Sequence, residues 1–294
     1  MTVESCKPKP KFTSNADLRA KYLKTEMLPT IFCPGCGIGV AMNALLRAFD
    51  ELQVDTTKVV LVSGIGCSAR VPGYLNLDSI HTTHGRALAF ATGIKLSNPE
   101  LKVIVFSGDG DLVGIGGNHF MHAARRNIDL TVIAINNGVF AMTGGQQSPT
   151  TPQSGSTTTF EYGNPEYPLN ISGLAHVAGA VYVARWAIDR PLRLIKSIKT
   201  AIQATGFSLV EVLSPCPTNY GRRNMIAKPA DYLQYYKEKT YLYDRNEELD
   251  DLTEENSFLM PPSDKPIAVG EFTKVERADY LENYKLVARE AKQH

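Results

Sequence analysis

Short apolar runs alternate with segments of helical periodicity through the middle of the chain. Runs such as VVLV and VIVF are rich in β-branched residues and end near glycine, which is typical of buried strands. We predict strands in segments 58–67, 101–111, 130–138, 181–186 and 207–216. Apolar residues recur at helical spacing in segments 38–52, 85–96, 117–126, 173–180 and 191–205. The alternation predicts an α/β fold, a parallel sheet with helices on both faces.

Polar and glycine-rich turns follow four of the predicted strands, in residues 64–67, 108–111, 136–138 and 214–216. In open parallel sheets, ligands bind outside the carboxyl ends of the strands. We therefore expect the four turns to meet on one rim of the sheet and to form the binding site. Segment 139–170 is rich in Gly, Thr, Pro and Gln and is too long for a simple connector, so we expect it to cover this site.

Three regions are expected along the chain: an N-terminal extension (1–30), the α/β domain (31–224) and a C-terminal tail (225–294). The tail is rich in Tyr and charged residues, and its α/β periodicity is weaker than that of the domain. We interpret it as an extended segment that packs on the domain or contacts another subunit.

The charge and the termini narrow the possible functions. The 31 Lys and Arg residues nearly balance the 30 Asp and Glu residues, and the net charge is +1. A nucleic-acid-binding surface needs a basic excess, so nucleic acid is not an expected partner. No apolar run reaches the roughly 18 residues of a membrane span, and Met1–Phe12 lacks the apolar core of a secretory signal. We expect a soluble, cytoplasmic protein that does not bind membranes.

The glycine-rich segment GDGDLVGIGG (108–117) lies between a predicted strand and a predicted helix. It does not match the dinucleotide motif G-x-G-x-x-G, because Gly114 comes one position too late. Asp109 and Asp111 would repel a diphosphate unless a divalent cation lay between them. Mg²⁺ forms such bridges through oxygen ligands, and the following helix N-terminus would add backbone N–H donors for the anion.

The next predicted strand ends in Asn136-Asn137. Adjacent parallel strands that are joined by one helix place such ends side by side. Asn137 could then supply a second oxygen ligand to the cation, and the backbone carbonyl of Val139 a third. The alternative is a tight βα turn followed by an Asx turn, with no ligand.

Five cysteines, an odd number spread over most of the chain, argue against a disulfide scaffold: Cys6, Cys33, Cys36, Cys67 and Cys216. The CPGC segment is a C-x-x-C pair, which occurs in redox dithiols, zinc sites and iron–sulfur sites, but the second pair of a zinc ribbon is absent. Two single cysteines follow predicted strands at the expected rim, and four thiolates gathered there would suit a cubane cluster. The alternative is that these two are small buried residues and the CPGC pair is a zinc remnant.

These motifs resemble known families. Gly108-Asp109-Gly110 followed by Asn136-Asn137 resembles the signature of thiamine diphosphate enzymes, in the pyrophosphate-type domain that binds the diphosphate and Mg²⁺. The ordered segments CPGCG, GIGCS, HTTHGRALAFATGIKL, GDGD, NN and SPCPT resemble the β subunit of 2-oxoacid:ferredoxin oxidoreductases. The likeness extends from about Pro29 to Asn224, about two-thirds of the chain.

The resemblance implies ligands for both cofactors. Four cysteines are implied to bind one [4Fe–4S] cluster: Cys33, Cys36, Cys67 and Cys216. Asp109, Asn137 and the carbonyl of Val139 are implied to bind Mg²⁺, and Cys6 has no matching role. Further residues are implied to contact thiamine diphosphate: Gly66, Ser68, His84, Gly108, Gly110, Asp111 and Thr143.

Catalytic roles are assigned to His84 and Arg86, which lie in the HTTHGR segment that similar proteins place near the cofactor and substrate. The guanidinium of Arg86 suits a carboxylate or a phosphate. His81 lies in the same segment, and a polar turn or helix cap explains it equally well. We expect His119 and His122 to have packing or solvent roles.

The family implies a reaction and its partners. The reaction is the reversible oxidative decarboxylation of a 2-oxoacid, with coenzyme A as acyl acceptor and ferredoxin as electron carrier. A separate α subunit is expected to supply the pyrimidine-binding domain, in a heterodimer or a dimer of heterodimers. The AMTGGQ segment contains Gly144-Gly145, and pyruvate-type and broad-specificity relatives often carry Lys at the first of these two positions. The segment resembles the 2-oxoglutarate enzymes.

Three alternatives to this function stay open. The chain could be a subunit of a non-redox thiamine diphosphate decarboxylase, with zinc on the cysteines. It could be a homologue specific for pyruvate or branched-chain 2-oxoacids. A non-catalytic scaffold subunit that has kept the fold is the third, and the presence of both Asp109 and Asn137 argues against it.

Overall fold

The computed structural model of the chain describes residues 13–226, 228–243 and 266–292. Within these ranges the helices are α1 (Asn15–Tyr22), α2 (Ile38–Leu52), α3 (Val71–Tyr74), α4 (Ala87–Ser97), α5 (Gly117–Arg125), α6 (Ile171–Val177), α7 (Pro191–Gln203), α8 (Pro229–Lys239) and α9 (Tyr280–Glu290). The strands of the same ranges are β1 (Val59–Ser63), β2 (Asp78–His81), β3 (Lys102–Gly108), β4 (Thr131–Asn136), β5 (Val139–Phe140), β6 (Gln146–Gln147), β7 (Tyr182–Ala187), β8 (Ser208–Leu213), β9 (Thr240–Leu242) and β10 (Ile267–Lys274). Cys6 lies outside the described residues.

The main sheet has the strand order β2-β1-β3-β4-β8-β7-β10-β9. All pairs from β2 through β7 are parallel, and β10 runs antiparallel to β7. The central strands β4 and β8 are rich in Val, Ile and Leu and almost wholly buried, as expected of parallel strands that helices cover on both faces. The predicted α/β fold is confirmed, with a mostly parallel sheet.

Helices pack on both faces of this sheet and divide the core in two. Helices α2 and α7 share one apolar cluster, which includes Phe49, and helices α4, α5 and α6 share the other, which includes Leu88. Successive residues of β3, such as Ile104 and Val105, belong to different clusters, as the two-residue period of a strand requires. No described helix has the length and the hydropathy that crossing a membrane requires.

All five predicted strands and all five predicted helices form, because each has a long apolar run or a clear helical period. The predicted strand segments at the rim also include the glycine turns that follow the strands. Five described elements before Met225 were not predicted, because they are short or lack a periodic pattern: α1, α3, β2, β5 and β6. Of these, β2 is a short edge strand whose four residues are all exposed.

The expected extended tail after Met225 differs from the structure. The described part of this region contains α8, β9, β10 and α9, and β10 is a full member of the sheet beside β7. A single antiparallel strand has no strand–helix repeat to reveal it, and the register shifts between Glu271 and Thr273. Contact of this region with another subunit stays a prediction.

Candidate functional site

The candidate residues collect at the carboxyl ends of four strands. Strands β1, β3, β4 and β8 are consecutive neighbours in the sheet, so the four predicted turns lie along one rim, as expected. The turns are also bonded to each other, since the backbone N–H of Ser214 donates to the carbonyl of Asn136 over 2.9 Å.

Asp109 is buried at this rim, with an exposed fraction of 1%. The hydroxyls of Ser148 and Thr150 donate to its Oδ2 over 2.5 and 2.6 Å. The backbone N–H of Asn137 lies 3.4 Å from its Oδ1. Segment 139–170, which contains both hydroxyls, therefore reaches into the site and holds the carboxylate in place.

The carboxylate of Asp109 has no cationic partner in the described part of the chain, where the ion pairs join other acids. Burial raises the pKa of this carboxyl group, and the bonds from Ser148 and Thr150 oppose the rise only in part. A buried anion without a counter-charge is unfavourable. Mg²⁺ prefers oxygen ligands such as a carboxylate and an amide, so the position fits a divalent cation.

Asn137 follows β4 directly and lies beside Asp109, as the strand order predicts. Its side-chain Oδ1 accepts the backbone N–H of Val139 over 3.2 Å, which is the Asx turn considered as the alternative to a metal site. An amide oxygen has two lone pairs, so the turn and a bond to a cation are compatible. The ligand roles of Asp109, Asn137 and the Val139 carbonyl stay predictions.

Three rim glycines shape the space beside these groups. A Cβ on Gly110 would lie 2.3 Å from the ring of Phe140, so only glycine lets this ring pack there. A Cβ on Gly108 would lie 3.0 Å from the buried hydroxyl of Ser68. Gly66 has a φ of 120°, and no heavy atom lies within 4 Å of where its Cβ would be. Its backbone therefore borders open space that a ligand can approach closely.

Asp111 is also buried, but it is bonded differently. Its Oδ1 accepts the backbone N–H groups of Ile65 and Gly85 over 3.1 and 2.8 Å, and Nδ1 of His84 lies 2.6 Å from the same oxygen. The hydroxyl of Ser107 donates to Oδ2 over 2.5 Å. Asp111 thus joins the loops that follow β1, β2 and β3. Because Nδ1 of His84 is engaged, Nε2 is the ring nitrogen left for a ligand.

Arg86 and Thr143 lie at more exposed positions. Arg86 precedes α4, and its guanidinium makes a long bond of 3.4 Å to the carbonyl of Gly85. The hydroxyl of Thr143 donates to the side-chain oxygen of Gln146 over 2.6 Å, in the turn between β5 and β6. Both side chains lie where a ligand or another subunit can reach them.

The four cysteines that the resemblance assigns to a cluster line one pocket: Cys33, Cys36, Cys67 and Cys216. The pocket encloses about 480 Å³, including its open mouth. Cys33 is exposed, Cys36 and Cys67 are half-buried, and Cys216 is buried, so the thiols extend from the surface into the core. The expectation that cysteines far apart in sequence meet at the rim is confirmed.

The surroundings of these thiols disfavour free thiolates. Burial, with repulsion from the neighbouring cysteines, raises the pKa of Cys36 to about 12 and that of Cys67 to about 11. In the described ranges, no three Cys, His, Asp or Glu side chains converge closely enough to hold a single metal ion. In a [4Fe–4S] cluster each thiolate binds its own iron, so the sulfurs surround the cluster. That the four thiols bind such a cluster stays a prediction.

Asn137 connects the two halves of the rim. It lines the cysteine pocket, and its backbone N–H lies against the carboxylate of Asp109. A cation held by Asp109 and Asn137 would therefore lie beside the four thiols. Such an arrangement can combine chemistry at a metal-bound diphosphate with the transfer of single electrons.

Several residues of segment 139–170 contact the site without having been predicted from the sequence. Ser148 and Thr150 bond to Asp109, and the ring of Phe140 packs against Gly110. The segment has no periodic pattern, and hydroxyl-bearing residues are common in loops, so nothing in the sequence distinguishes these two. The only available signal was the length of the segment directly after the Asn-Asn pair.

Comparison with known proteins extends the likeness to most of the chain. The family model described as thiamine pyrophosphate enzyme, C-terminal TPP binding domain, matches residues 55–212. The 2-oxoglutarate synthase subunit KorB of Methanocaldococcus jannaschii is 50% identical over 270 residues, which cover 92% of this chain and 97% of that protein. The subunit of the same name from Archaeoglobus fulgidus is 55% identical over 219 residues, covering 74% and 80%.

A more distant relative and a solved structure agree with these matches. The 2-oxoacid:ferredoxin oxidoreductase subunit beta of a Sulfolobus species is 48% identical over 189 residues, covering 64% of this chain and 62% of that protein. The 2-oxoglutarate:ferredoxin oxidoreductase from Magnetococcus marinus, solved with 2-oxoglutarate, coenzyme A and succinyl-CoA bound, is 33% identical with a TM-score of 0.81. That match covers 94% of this chain and 91% of the solved chain.

Proposed function

The chain belongs to the β subunits of the 2-oxoacid:ferredoxin oxidoreductases, a family of thiamine diphosphate enzymes, and from this we propose a function for its rim. The subunit holds the diphosphate of the cofactor with Mg²⁺, and next to it a [4Fe–4S] cluster. The complex oxidatively decarboxylates a 2-oxoacid to acyl-CoA and carbon dioxide, and its electrons pass through the cluster to ferredoxin. The reaction is reversible, and we place the protein in the cytoplasm.

The observation that carries this proposal is the position of Asn137, which touches Asp109 and also lines the pocket of four cysteines. Asp109, Asn137 and the carbonyl of Val139 would hold Mg²⁺, and the cation would bind the diphosphate. Thiamine diphosphate supplies the electron sink that lets a 2-oxoacid lose carbon dioxide. Thiolates a short distance away are well placed to hold a group that accepts electrons singly.

Ser148 and Thr150 keep the Asp109 carboxylate in one orientation, which favours the fixed octahedral geometry that Mg²⁺ requires. Asp111 orients His84 through Nδ1, so that Nε2 can hold or move a proton at the substrate. The guanidinium of Arg86 would bind a carboxylate of the substrate or a phosphate.

We propose 2-oxoglutarate as the favoured substrate. The relatives at 50% and 55% identity carry the name 2-oxoglutarate synthase. Gly144 and Gly145 have φ angles of 114° and 92°, and a Lys at either position would strain the backbone. Pyruvate or a branched-chain 2-oxoacid is the alternative substrate, and a non-redox decarboxylase subunit is the alternative function.

The partners follow from the same proposal. An α subunit supplies the pyrimidine-binding domain, in a heterodimer or a dimer of heterodimers, and coenzyme A and ferredoxin are co-substrates. The isolated chain is then inactive, and it gains activity when the α subunit is added. Turnover by the isolated chain would contradict this part of the proposal.

The test is substrate-dependent reduction of methyl viologen by the co-expressed subunits, under anaerobic conditions, with coenzyme A and a panel of 2-oxoacids. We expect reduction with 2-oxoglutarate above pyruvate and branched-chain 2-oxoacids, and iron and sulfide in a ratio that fits one cluster per chain. Cys67→Ala should remove the iron, the brown colour and the activity together. A colourless preparation with full activity would refute the cluster, and zinc without sulfide would favour the non-redox alternative.

A further inference from the structure

The mouth of the cysteine pocket has no role in the function proposed above. Cys33 is exposed, and Ile31 beside it has an exposed fraction of 59%. The other thiols lie deeper, since Cys36 and Cys67 are half-buried and Cys216 is buried. A redox group held by the four thiols would therefore come nearest to the surface at Cys33.

The segments that line the pocket carry more cations than anions, and one of them, 137–141, has no charged residue. Segment 29–38 has no charged residue, and segments 65–74 and 214–232 contain one carboxylate, Asp231. The cations of these segments are all exposed: Arg70, Arg222, Arg223 and Lys228. We call these four residues the basic border.

Backbone contacts place three members of the basic border next to the pocket. The backbone N–H of Arg70 donates to the carbonyl of Cys67 over 3.2 Å. Arg222 and Arg223 directly follow the turn Pro217–Gly221, whose first three residues line the pocket. These cations are therefore attached to the two wall segments that also carry the single cysteines.

The fourth member, Lys228, lies at the C-x-x-C turn. It precedes Pro229, whose side chain lies 2.2 Å from where a Cβ on Gly35 would be. Only glycine, here at a φ of 80°, lets the turn pack so closely on the start of α8. This contact attaches the chain at Lys228 to the C-x-x-C turn that carries Cys33.

The four residues of the basic border have no acidic partner in the part of the chain that the structure describes. Elsewhere on the surface, Lys21 and Lys58 each form an ion pair with an acid. None of the four border residues forms an ion pair within the described ranges. Cations left uncompensated around one site create a positive potential that attracts and orients an acidic partner.

We propose that the basic border and Ile31 form the docking surface for a small acidic electron-carrier protein. The inference rests on the proposed function, because it needs a redox group in the pocket. In each encounter, the reduced group loses one electron and the oxidised carrier gains it, and no bond forms or breaks. A small apolar contact accompanied by charged residues is typical of the weak, transient interfaces between electron-transfer partners.

The test compares Arg222→Glu/Arg223→Glu with a matched control, Arg125→Glu/Arg126→Glu, in the co-expressed complex. The control pair is also adjacent and exposed, but it lies at the end of α5, next to the amino ends of the strands. The probe is an acidic [4Fe–4S] ferredoxin, with its dissociation constant measured by calorimetry at low and moderate salt. Rates of substrate-driven reduction are measured with this ferredoxin and with methyl viologen, and iron content checks the cluster.

At low salt we expect the Arg222→Glu/Arg223→Glu variant to bind ferredoxin at least about tenfold more weakly, with a matching rise in the KM for ferredoxin. The difference should shrink as salt increases. Methyl viologen reduction, iron content and the control variant should stay at wild-type values. Lys228→Glu, outside the Pro217–Gly221 turn, should shift ferredoxin affinity in the same direction by a smaller factor.

Three results would overturn the docking surface. These are unchanged ferredoxin affinity in both border variants, an equal loss in the control variant, and release of the α subunit by border substitutions, which would mean that the subunit covers this surface. Each leaves the proposed function intact if the wild-type complex reduces methyl viologen. If the wild type reduces neither acceptor with any 2-oxoacid, the proposed function fails and the docking surface fails with it.

Discussion

Two buried carboxylates near the same rim have different surroundings. Asp109 follows β3 and Glu211 lies in β8, and each has an exposed fraction of 1%. Glu211 forms a buried ion pair with Arg185, with 2.8 Å between Nε and Oε2, and it also accepts bonds from Ser172 and Asn136. Asp109 is bonded to two hydroxyls and a backbone N–H, and to no cation within the described residues.

The pKa values of the two carboxyl groups shift in opposite directions. Burial favours the neutral form of both, but the charge of Arg185 and the hydrogen bonds outweigh burial at Glu211 and lower its pKa below the ordinary 4.5. At Asp109 burial outweighs the hydrogen bonds, and the pKa is raised. The chain thus provides its own cation where a carboxylate stabilises the fold. It provides none where we propose that Mg²⁺ binds.

The largest effect is expected from Asp109→Asn, which removes the charge that would bind the cation. Binding of thiamine diphosphate with Mg²⁺ to the co-expressed complex should fall below detection in calorimetry. The complex without cofactor should become more stable, by on the order of 1 kcal/mol, because a buried uncompensated charge is removed.

Glu211→Gln is the matched control, because it also replaces a buried carboxylate with an amide of the same side-chain length. It should leave the affinity for thiamine diphosphate much closer to that of the wild type. Cofactor binding by Asp109→Asn at wild-type strength would show that the rim binds no cation there.

Glu211→Gln should have the opposite effect on stability. The substitution leaves the guanidinium of Arg185 buried without its counter-charge, so the free energy of unfolding should fall by about 3 kcal/mol. Urea unfolding measured without cofactor checks this value. A variant as stable as the wild type would mean that Arg185 finds another partner. The claim that Glu211, unlike Asp109, stabilises the fold through its ion pair would then be wrong.

A smaller effect is expected when the hydroxyls that hold Asp109 are removed. Ser148→Ala and Thr150→Val should each weaken the apparent affinity for Mg²⁺ by about tenfold, because the carboxylate loses an orienting bond. Mg²⁺ titrations of cofactor binding measure the change. Thr200→Val, whose hydroxyl bonds the carbonyl of Lys196 within α7, is the control and should leave Mg²⁺ affinity unchanged.

The smallest expected effect is on the pH dependence of stability. The folded pKa of Glu211 lies below 4.5, so its charge stabilises the fold above that pH. This contribution is lost as the pH falls through the folded pKa. Unfolding free energies measured between about pH 7 and pH 3 should fall more steeply for the wild type than for Glu211→Gln. Parallel curves would show that Glu211 does not carry the dependence.

The site at Asp109 can be predicted from the sequence better than the ion pair between Glu211 and Arg185. Asp109 and Asn137 each end a long apolar strand, and the topology of parallel sheets then places both at the rim. Glu211 and Arg185 interrupt the apolar runs FSLVEVL and VYVARW without any visible reason. They meet because β7 and β8 pair in a register that sets these two residues opposite each other, and sequence periodicity does not determine register between strands.

Other features of the fold and of the candidate site depend on contacts between segments that lack a regular sequence pattern. The hydroxyls on Asp109 come from an irregular segment, and β10 joins the sheet as a single antiparallel strand after a long interruption in the α/β pattern. The meeting of the cysteines was predictable because Cys67 and Cys216 both follow strands that end at the same rim. Only the structure shows which of the four thiols lies nearest to the surface.

The central claim is that a cation site and a cluster site adjoin at Asn137. It is tested most directly by electron paramagnetic resonance of the anaerobic, co-expressed complex, frozen shortly after 2-oxoglutarate is added with no electron carrier present. We expect a reduced iron–sulfur signal that appears with the substrate, and that is absent in Asp109→Asn although its iron content is normal. A signal that does not respond to any 2-oxoacid, or that develops equally in Asp109→Asn, would contradict the claim.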